Sequence, residues 1–561
     1  MLMITLATKI KLPFLWGKTA FKKQNWTQVN LIVGPNGSGK TLLAQNIAKT
    51  FSQNGYKCKF LSSERRHEEE ILEILSEKKH IRTKTENVLS NMFGKSIKFE
   101  KDSNGNLIPM VVNKAWNVEY NLKDQECHGL KEILTLLVSL YSSEENCIII
   151  DEPELHLHPQ FQLFFMNEIR KTAKKQKDKI FFLITHSPFF IDLLSPKDLI
   201  GVVVCHINTC PTYIEKLKKE DENLFKRFLP RFNTYHKQFF FSDNQIFVEG
   251  YTDQQIFSLL LSRMDNHIGT AGTGIIDVGG KDELGVFCKV CNLLGTDARI
   301  IGDLDSLFRS KLRDVVCEDI RVQNWLDAQF EKQLPFYKTL FENISENNLY
   351  RQDKNSKNIF CTNIYSSLSQ KITLDMLICR LEDYLVTVGK FICENDIKFH
   401  SKKNIDSFSQ GYNDSLASKT RYENSHIGKI MLFTEKCRSL YNKYDNAEDL
   451  DTFKTVVLQG IYNLKDNIYD ILPLPLARII PLIRNLASLV FAAAEAARVY
   501  ILNNGCIEHY YVKNKVEYMP IIAKDKLFRY EYNYIMECSN KTLQHKYAQL
   551  ISILQKACDI N

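Results

Sequence analysis

Leu31-Ile32-Val33-Gly34-Pro35-Asn36-Gly37-Ser38-Gly39-Lys40-Thr41 runs three apolar residues straight into a glycine-rich loop, and Leu42-Leu43-Ala44-Gln45 continues it as the start of a helix. Apolar strand, tight turn and helix start are the context a P-loop needs. The loop residues Gly34, Asn36, Gly37, Ser38 and Gly39 let backbone N–H groups turn inward around a polyphosphate. Lys40 supplies a point charge for the β- and γ-phosphates, and Thr41 offers a hydroxyl to Mg²⁺. The stretch therefore predicts a parallel α/β domain that binds a nucleoside triphosphate, read as ATP.

Working outward, Cys147-Ile148-Ile149-Ile150-Asp151-Glu152-Pro153-Glu154-Leu155-His156-Leu157-His158-Pro159 is the second decisive stretch. Its β-branched run reads as a buried parallel strand delivering two adjacent carboxylates at its tip. Asp151 is placed to hold the Mg²⁺ shell and Glu152 to polarise an attacking water. A further strand, Ile180 to Ile184, ends in Thr185-His186-Ser187, and His186 is read as a sensor of the γ-phosphate. Tyr56 to Leu61 reads as another strand; the charged turn after it, Ser62 to Arg66, is either a ligand contact or an exposed loop.

A second α/β unit follows. Gln245 to Glu249 is a strand, Gly250 a turn and Thr252 to Met264 a helix; strand Gly274 to Val278, a Gly279-Gly280-Lys281 turn, helix Glu283 to Leu294 and strand Ala298 to Asp303 come next. Parallel strands would bring Glu249, Asp303 and Asp305 to one edge, where their mutual repulsion is costly without a cation. Hard oxygens suit Mg²⁺, and two such ions can clamp a phosphodiester in line.

The first set of motifs resembles the ABC-type ATPase family, in the branch with the Asp-Glu-Pro-Glu-Leu-His-Leu-His-Pro signature. That resemblance implies a head that dimerises face to face, with nucleotide between one subunit's P-loop and the other's signature helix. The matching segment, Asp124 to Leu140, departs from the pattern: Cys127-His128-Gly129 stands where the family has Ser-Gly. The second unit resembles a Toprim domain, a strand-end Glu-Gly followed further along by Asp-x-Asp. This implies that Glu249 is an acid/base or metal-binding carboxylate, that Asp303 and Asp305 ligate Mg²⁺, and that Asp253 is an extra ligand.

An ATPase head followed by Toprim is similar to the layout of the OLD (overcoming lysogenization defect) family of ATP-dependent nucleases, a broad group that includes the Gabija and PARIS anti-phage systems. The resemblance implies DNA cleavage in the OLD and Gabija manner, or attack on tRNA in the PARIS manner. A non-cutting ATPase that scaffolds or senses a partner is the reading from another class. A late carboxylate of the family corresponds to Glu382 in Leu381-Glu382-Asp383-Tyr384-Leu385, a segment equally readable as an ordinary amphipathic helix. Lys429 and Lys436 are both open as the family's late lysine. The resemblance also implies a homodimer or higher homo-oligomer and leaves open a phage-derived trigger.

The remaining sequence limits these readings. At 561 residues, 44% hydrophobic and 25% charged, the chain has the composition of a multidomain globular protein. Lys plus Arg exceed Asp plus Glu by 73 to 66, and a net charge of +7 is too small to argue for nucleic acid by itself. Fifteen scattered cysteines read as reduced thiols in the cytoplasm, and neither Cys288-x-x-Cys291 nor the Cys205, His206, Cys210 group has the second half of a zinc site. Ile471 to Ile501 is apolar but interrupted by Arg478, Arg484, Glu495, Arg498 and prolines, so it reads as a helical core and not as a membrane span. Lys226 to Phe241 interleaves basic and aromatic residues, which reads as a solvated linker helix or a nucleic-acid surface. The domains expected are 1–240 ATPase, 241–340 Toprim, and 341–561 mainly helical, completing or packing on the Toprim domain.

Overall fold

The structure, a computed structural model, describes residues 3–559 apart from 64–67, 94–95, 102–106, 114–117, 122–127, 143, 235, 242–244, 265–272, 297, 342–370, 396–424, 443–446, 471 and 473. The chain divides into two compact units, residues 1–243 with 290–297 and residues 244–289 with 298–561.

In the first unit, β1 (Met3–Ile10) and β2 (Phe21–Thr27) pair antiparallel as a sheet of their own. The P-loop strand is β3 (Val29–Val33), and β4 spans Cys58–Leu61. A three-stranded antiparallel meander follows, β5 (Ser96–Lys101), β6 (Leu107–Asn113) and β7 (Val118–Asn121). β8 (Cys147–Asp151), β9 (Ile180–Ile184), β10 (Val202–Val204) and β11 (Thr212–Tyr213) complete a six-stranded sheet in the order β11-β10-β3-β9-β8-β4. Only β11 runs antiparallel to its neighbour. Every residue of β3, β8 and β9 is buried, as expected for parallel strands covered on both faces. Helix Lys40–Gln53 covers one face, and Phe51 and Trp26 both meet Phe182 edge-on at 5.3 and 5.2 Å.

Lys226 to Phe241 departs from expectation. Phe228, Phe232, Phe239 and Phe240 are buried in an aromatic cluster, with Phe239 stacked on Phe240 at 4.1 Å between ring centres. Rings committed to a core cannot stack on bases, so this segment is neither a solvated linker nor an aromatic nucleic-acid platform.

The second unit holds β12 (Gln245–Val248), β13 (Gly274–Asp277), β14 (Arg299–Asp303) and β15 (Val499–Leu502), all parallel in the order β13-β12-β14-β15. The last strand comes from the C-terminal region, which thus completes the sheet. Helix Ile479–Ala496, just before it, is long and apolar enough to cross a membrane by length and composition. Half of it is buried against helices Ile320–Phe341 and Leu374–Glu394 and against β15, which accounts for its apolar character as core. The Asn- and Ser-rich stretches 343–358 and 401–424 lie outside the described residues.

Candidate functional site

Each sheet ends in a set of chemically armed residues. In the first unit Gly34 follows β3 with φ +138°, and a Cβ there would fall 2.1 Å from the Cys205 carbonyl oxygen, so only glycine fits between the P-loop and the chain after β10. Asn36 and Gly37 form the exposed loop tip, Ser38 donates to the Pro35 carbonyl at 2.8 Å, and Gly39, at φ +83°, leads into helix Lys40–Gln53. Lys40 Nζ folds back on the Gly34 and Pro35 carbonyls at 3.1 and 2.8 Å; burial lowers its pKa against the pull of neighbouring acids.

Thr41 Oγ1 donates to Asp151 Oδ2 at 2.9 Å, joining the two expected Mg²⁺-shell residues across 110 positions of sequence. Glu152, at φ +49°, is turned off the end of β8, and its main-chain N–H is held by the Ile184 carbonyl at 2.8 Å. Its charge acts on both Lys40 and His186. His186 has its pKa lowered by burial and then by Lys40, which favours the neutral ring against the pull of Glu152. The main chain of this pair is anchored by Glu154, which accepts from Thr185 Oγ1 at 2.8 Å and from the His186 N–H at 2.6 Å. Burial raises the Glu154 pKa despite those bonds. The sequence reading passed over Glu154; its signal was the second glutamate of Asp-Glu-Pro-Glu. In the signature segment, helix His128–Tyr141 carries Gly129, while residues 124–127 lie outside the described residues.

In the second unit, β12 and β14 end side by side and deliver Glu249, Asp303 and Asp305, each offering a carboxylate oxygen within 4.8 Å of the others. This is the one such metal-competent group among the described residues. Burial, then Asp305, pushes Glu249 up to about 7, and burial followed by Asp253, Glu249 and Asp305 pushes Asp303 well above the usual carboxylate range. Glu249 Oε2 is buried without a hydrogen-bond partner. Crowded acids and an orphaned oxygen are what a divalent cation would satisfy, so the residues present fit Mg²⁺. On the P-loop side, the Thr41–Asp151 pair, the glycine turn and Lys40 likewise fit ATP with its Mg²⁺.

The remaining assignments fall differently. Asp253 is buried behind the group and caps helix Tyr251–Arg263, accepting the Gly250 N–H at 3.1 Å. Burial, Glu508 and Glu249 raise it to about 7. Glu382 is not brought to the three carboxylates. It is held by Lys454 Nζ at 2.6 Å and Arg313 Nη1 at 3.1 Å, with Lys454 also 3.1 Å from Asp451. A lysine and an arginine neutralise it where the resemblance placed a metal. Near the carboxylates, Lys281 lies on Asp305, Lys454 on Glu382 and Asp451, and Lys524 is 3.4 Å from the buried Glu508. Glu508 and Lys524 stand more than two hundred residues from Glu249, too far for any local pattern to reveal.

Comparison with known proteins finds a domain family in each unit. Residues 240–305 match the family described as overcoming lysogenization defect protein-like, TOPRIM domain, and residues 49–191 match an AAA ATPase domain. The chain is similar to the OLD nuclease of Thermus scotoductus, 30% identical over 168 residues covering 28% of this chain and 30% of that protein. It is also similar to Endonuclease GajA of Bacillus cereus, 26% identical over 188 residues covering 29% of this chain and 27% of that one. The aligned region thus spans about three tenths of the length of each of these curated relatives. The chain therefore carries an AAA-type ATPase domain followed by an OLD-like Toprim domain.

Proposed function

We propose that the protein is an ATP-dependent or ATP-regulated, Mg²⁺-dependent endonuclease that cuts DNA in bacterial anti-phage defence, acting in the cytoplasm as a homodimer or higher homo-oligomer. The observation that carries this reading is the convergence of Glu249, Asp303 and Asp305 within 4.8 Å at the end of a parallel sheet. A pure binding module gains nothing from gathering acids at that expense in repulsion. Asp303 and Asp305 would hold the ion, and Glu249, poised near neutrality, would hold it or take the proton of the attacking water. Mg²⁺ would supply charge stabilisation at the phosphodiester oxygens.

In the ATPase, Lys40 binds the terminal phosphates, Thr41 and Asp151 hold the cation shell, Glu152 orients water and His186 reads the γ-phosphate. The nucleotide state then sets the geometry in which the nuclease residues meet substrate. The similarity to a protein named an endonuclease supports the cutting reading.

The test uses the full chain with Mg²⁺ and ATP, plasmid DNA and total tRNA, and the variant Glu249→Gln. The expected result is cut plasmid with wild type, none with the variant, and unchanged ATP hydrolysis in both. Cut tRNA beside intact plasmid moves the substrate to the PARIS-like class. Both pools intact with wild type leaves an ATP-driven scaffold, and undiminished cutting by Glu249→Gln removes the Toprim site from the reaction.

A further inference from the structure

The Gly279-Gly280-Lys281 turn, which the carboxylate chemistry leaves unused, is built onto the active-site main chain. Gly279 and Gly280 have φ +77° and +141°, conformations L side chains rarely adopt. The Gly280 N–H donates to the carbonyl of Glu249 at 2.8 Å, and the Glu283 N–H closes the helix start on the Gly280 carbonyl at 3.0 Å. The position of Lys281 is therefore tied directly to the backbone of Glu249. Its ammonium lies 3.0 Å from Asp305 Oδ2, and both side chains are about a quarter exposed. Lys281 also borders a cleft of about 890 Å³ of mixed charge, where Arg309, Lys311 and Arg313 are interspersed with Asp282, Asp314, Asp375, Glu448 and Asp451.

We infer that Lys281 is a phosphate-holding residue of the nuclease site, exchanging Asp305 for a non-bridging oxygen of the substrate backbone that reaches the three carboxylates. The inference rests on the nuclease reading and names a further substrate contact for the same site. Three arguments carry it. An ion pair still open to solvent at both side chains contributes little to stability, about 0–1 kcal/mol, so the two strained-for-any-other-residue glycines that deliver Lys281 need another reason. The other buried cations nearby are already committed: Arg313 to Asp375 and Glu382, Lys454 to Glu382 and Asp451. Lys281 alone among these three touches the metal-competent group and borders the cleft as well. Once Asp305 shares its oxygens with a divalent ion, its hold on the ammonium weakens. A flexible four-carbon stem then lets Lys281 turn to the nearest anion, the phosphodiester.

This exchange makes two effects of opposite sign, which a merely structural lysine would not. With Lys281→Met in the full, nucleotide-free chain, Mn²⁺ read by electron paramagnetic resonance should bind several-fold more tightly, because Asp305 no longer has a competing partner. Binding of a DNA duplex in Ca²⁺, with tRNA in parallel, should weaken about tenfold, and the slope of log K against log salt should shrink by about one charge. Lys281→Arg should restore most of the nucleic-acid binding. Weaker binding of both Mn²⁺ and nucleic acid by Lys281→Met would show a supporting role for the turn and overturn the inference. So would unchanged nucleic-acid affinity and salt slope. Because these readouts need no cleavage, they stand apart from the Glu249→Gln test of the nuclease reading.

Discussion

Both units end parallel strands in carboxylates, yet the two sites treat their acids in opposite ways. In the ATPase unit each acid with a described contact has a polar partner from its own chain: Asp151 takes the Thr41 hydroxyl, and Glu154 takes the Thr185 hydroxyl and the His186 amide. Lys40 adds a buried positive charge beside them. In the Toprim unit Glu249, Asp303 and Asp305 press on one another, one oxygen of Glu249 has no partner, and Lys281 is the cation set directly on the group. The first site is pre-shaped for an anion that arrives with its own metal. The second carries an excess of negative charge that a metal relieves.

The sharpest way to break that contrast is Asp303→Asn. Burial, then Asp253, Glu249 and Asp305, opposes the charge of Asp303. Cleavage should fall on the order of 10³-fold or more, while the metal-free protein becomes more stable by roughly 1–3 kcal/mol. Chemical denaturation in chelator measures the second effect. A variant less stable than wild type without metal would mean that the acids are not in surplus.

Lys40→Met tests the other side. Loss of its charge should weaken ATP binding about 10- to 100-fold, and the Mn²⁺ affinity of the Toprim group should be untouched. Titration with a fluorescent ATP analogue reads the first and paramagnetic resonance the second. A smaller effect is expected from Glu154→Gln, which keeps an acceptor but removes the charge that grips Thr185 and His186. ATP turnover should drop about tenfold, roughly 1.4 kcal/mol, with nucleotide affinity little changed. An unaltered turnover number would detach His186 from the γ-phosphate.

What could be read in the sequence, and what could not, follows the same division. The P-loop, Asp151-Glu152 and Asp303-x-Asp305 are contiguous, and their flanking apolar runs announce which strand ends they occupy; they were legible because the chemistry is local. The Toprim sheet's fourth strand lies in a region whose dominant signal is helical period, and four residues, Val499 to Leu502, are too few to compete with it. The surroundings of Glu382 were illegible for a related reason. A Leu-Glu pair on a helix carries no sign of its neighbours, and only folding reveals Lys454 and Arg313 closing on it from 72 and 69 positions away. The aromatic residues between Lys226 and Phe241 alternate with charges in a way that suits solvent as well as core, and burial decided for core.

The contrast also predicts how the second site responds to pH. The Glu249 carboxyl is raised from 4.5 to about 7 by burial and by Asp305. In the folded, metal-free protein it keeps a proton that the unfolded chain releases above 4.5, so its contribution to stability is full below that value and is lost as pH rises through about 7. A divalent ion needs the ionised carboxylates, so binding expels this proton, and the apparent affinity should climb by up to about tenfold per pH unit per proton below neutrality, then level off. The melting temperature measured with and without Mg²⁺ should therefore differ more at about pH 8 than at about pH 6. Glu249→Gln should flatten that difference without altering the shift that ATP produces through the P-loop. If the Mg²⁺-induced shift is the same at both pH values in the wild-type protein, the three carboxylates are not competing for protons. Their crowding would then be satisfied by the chain itself, as it is in the ATPase unit.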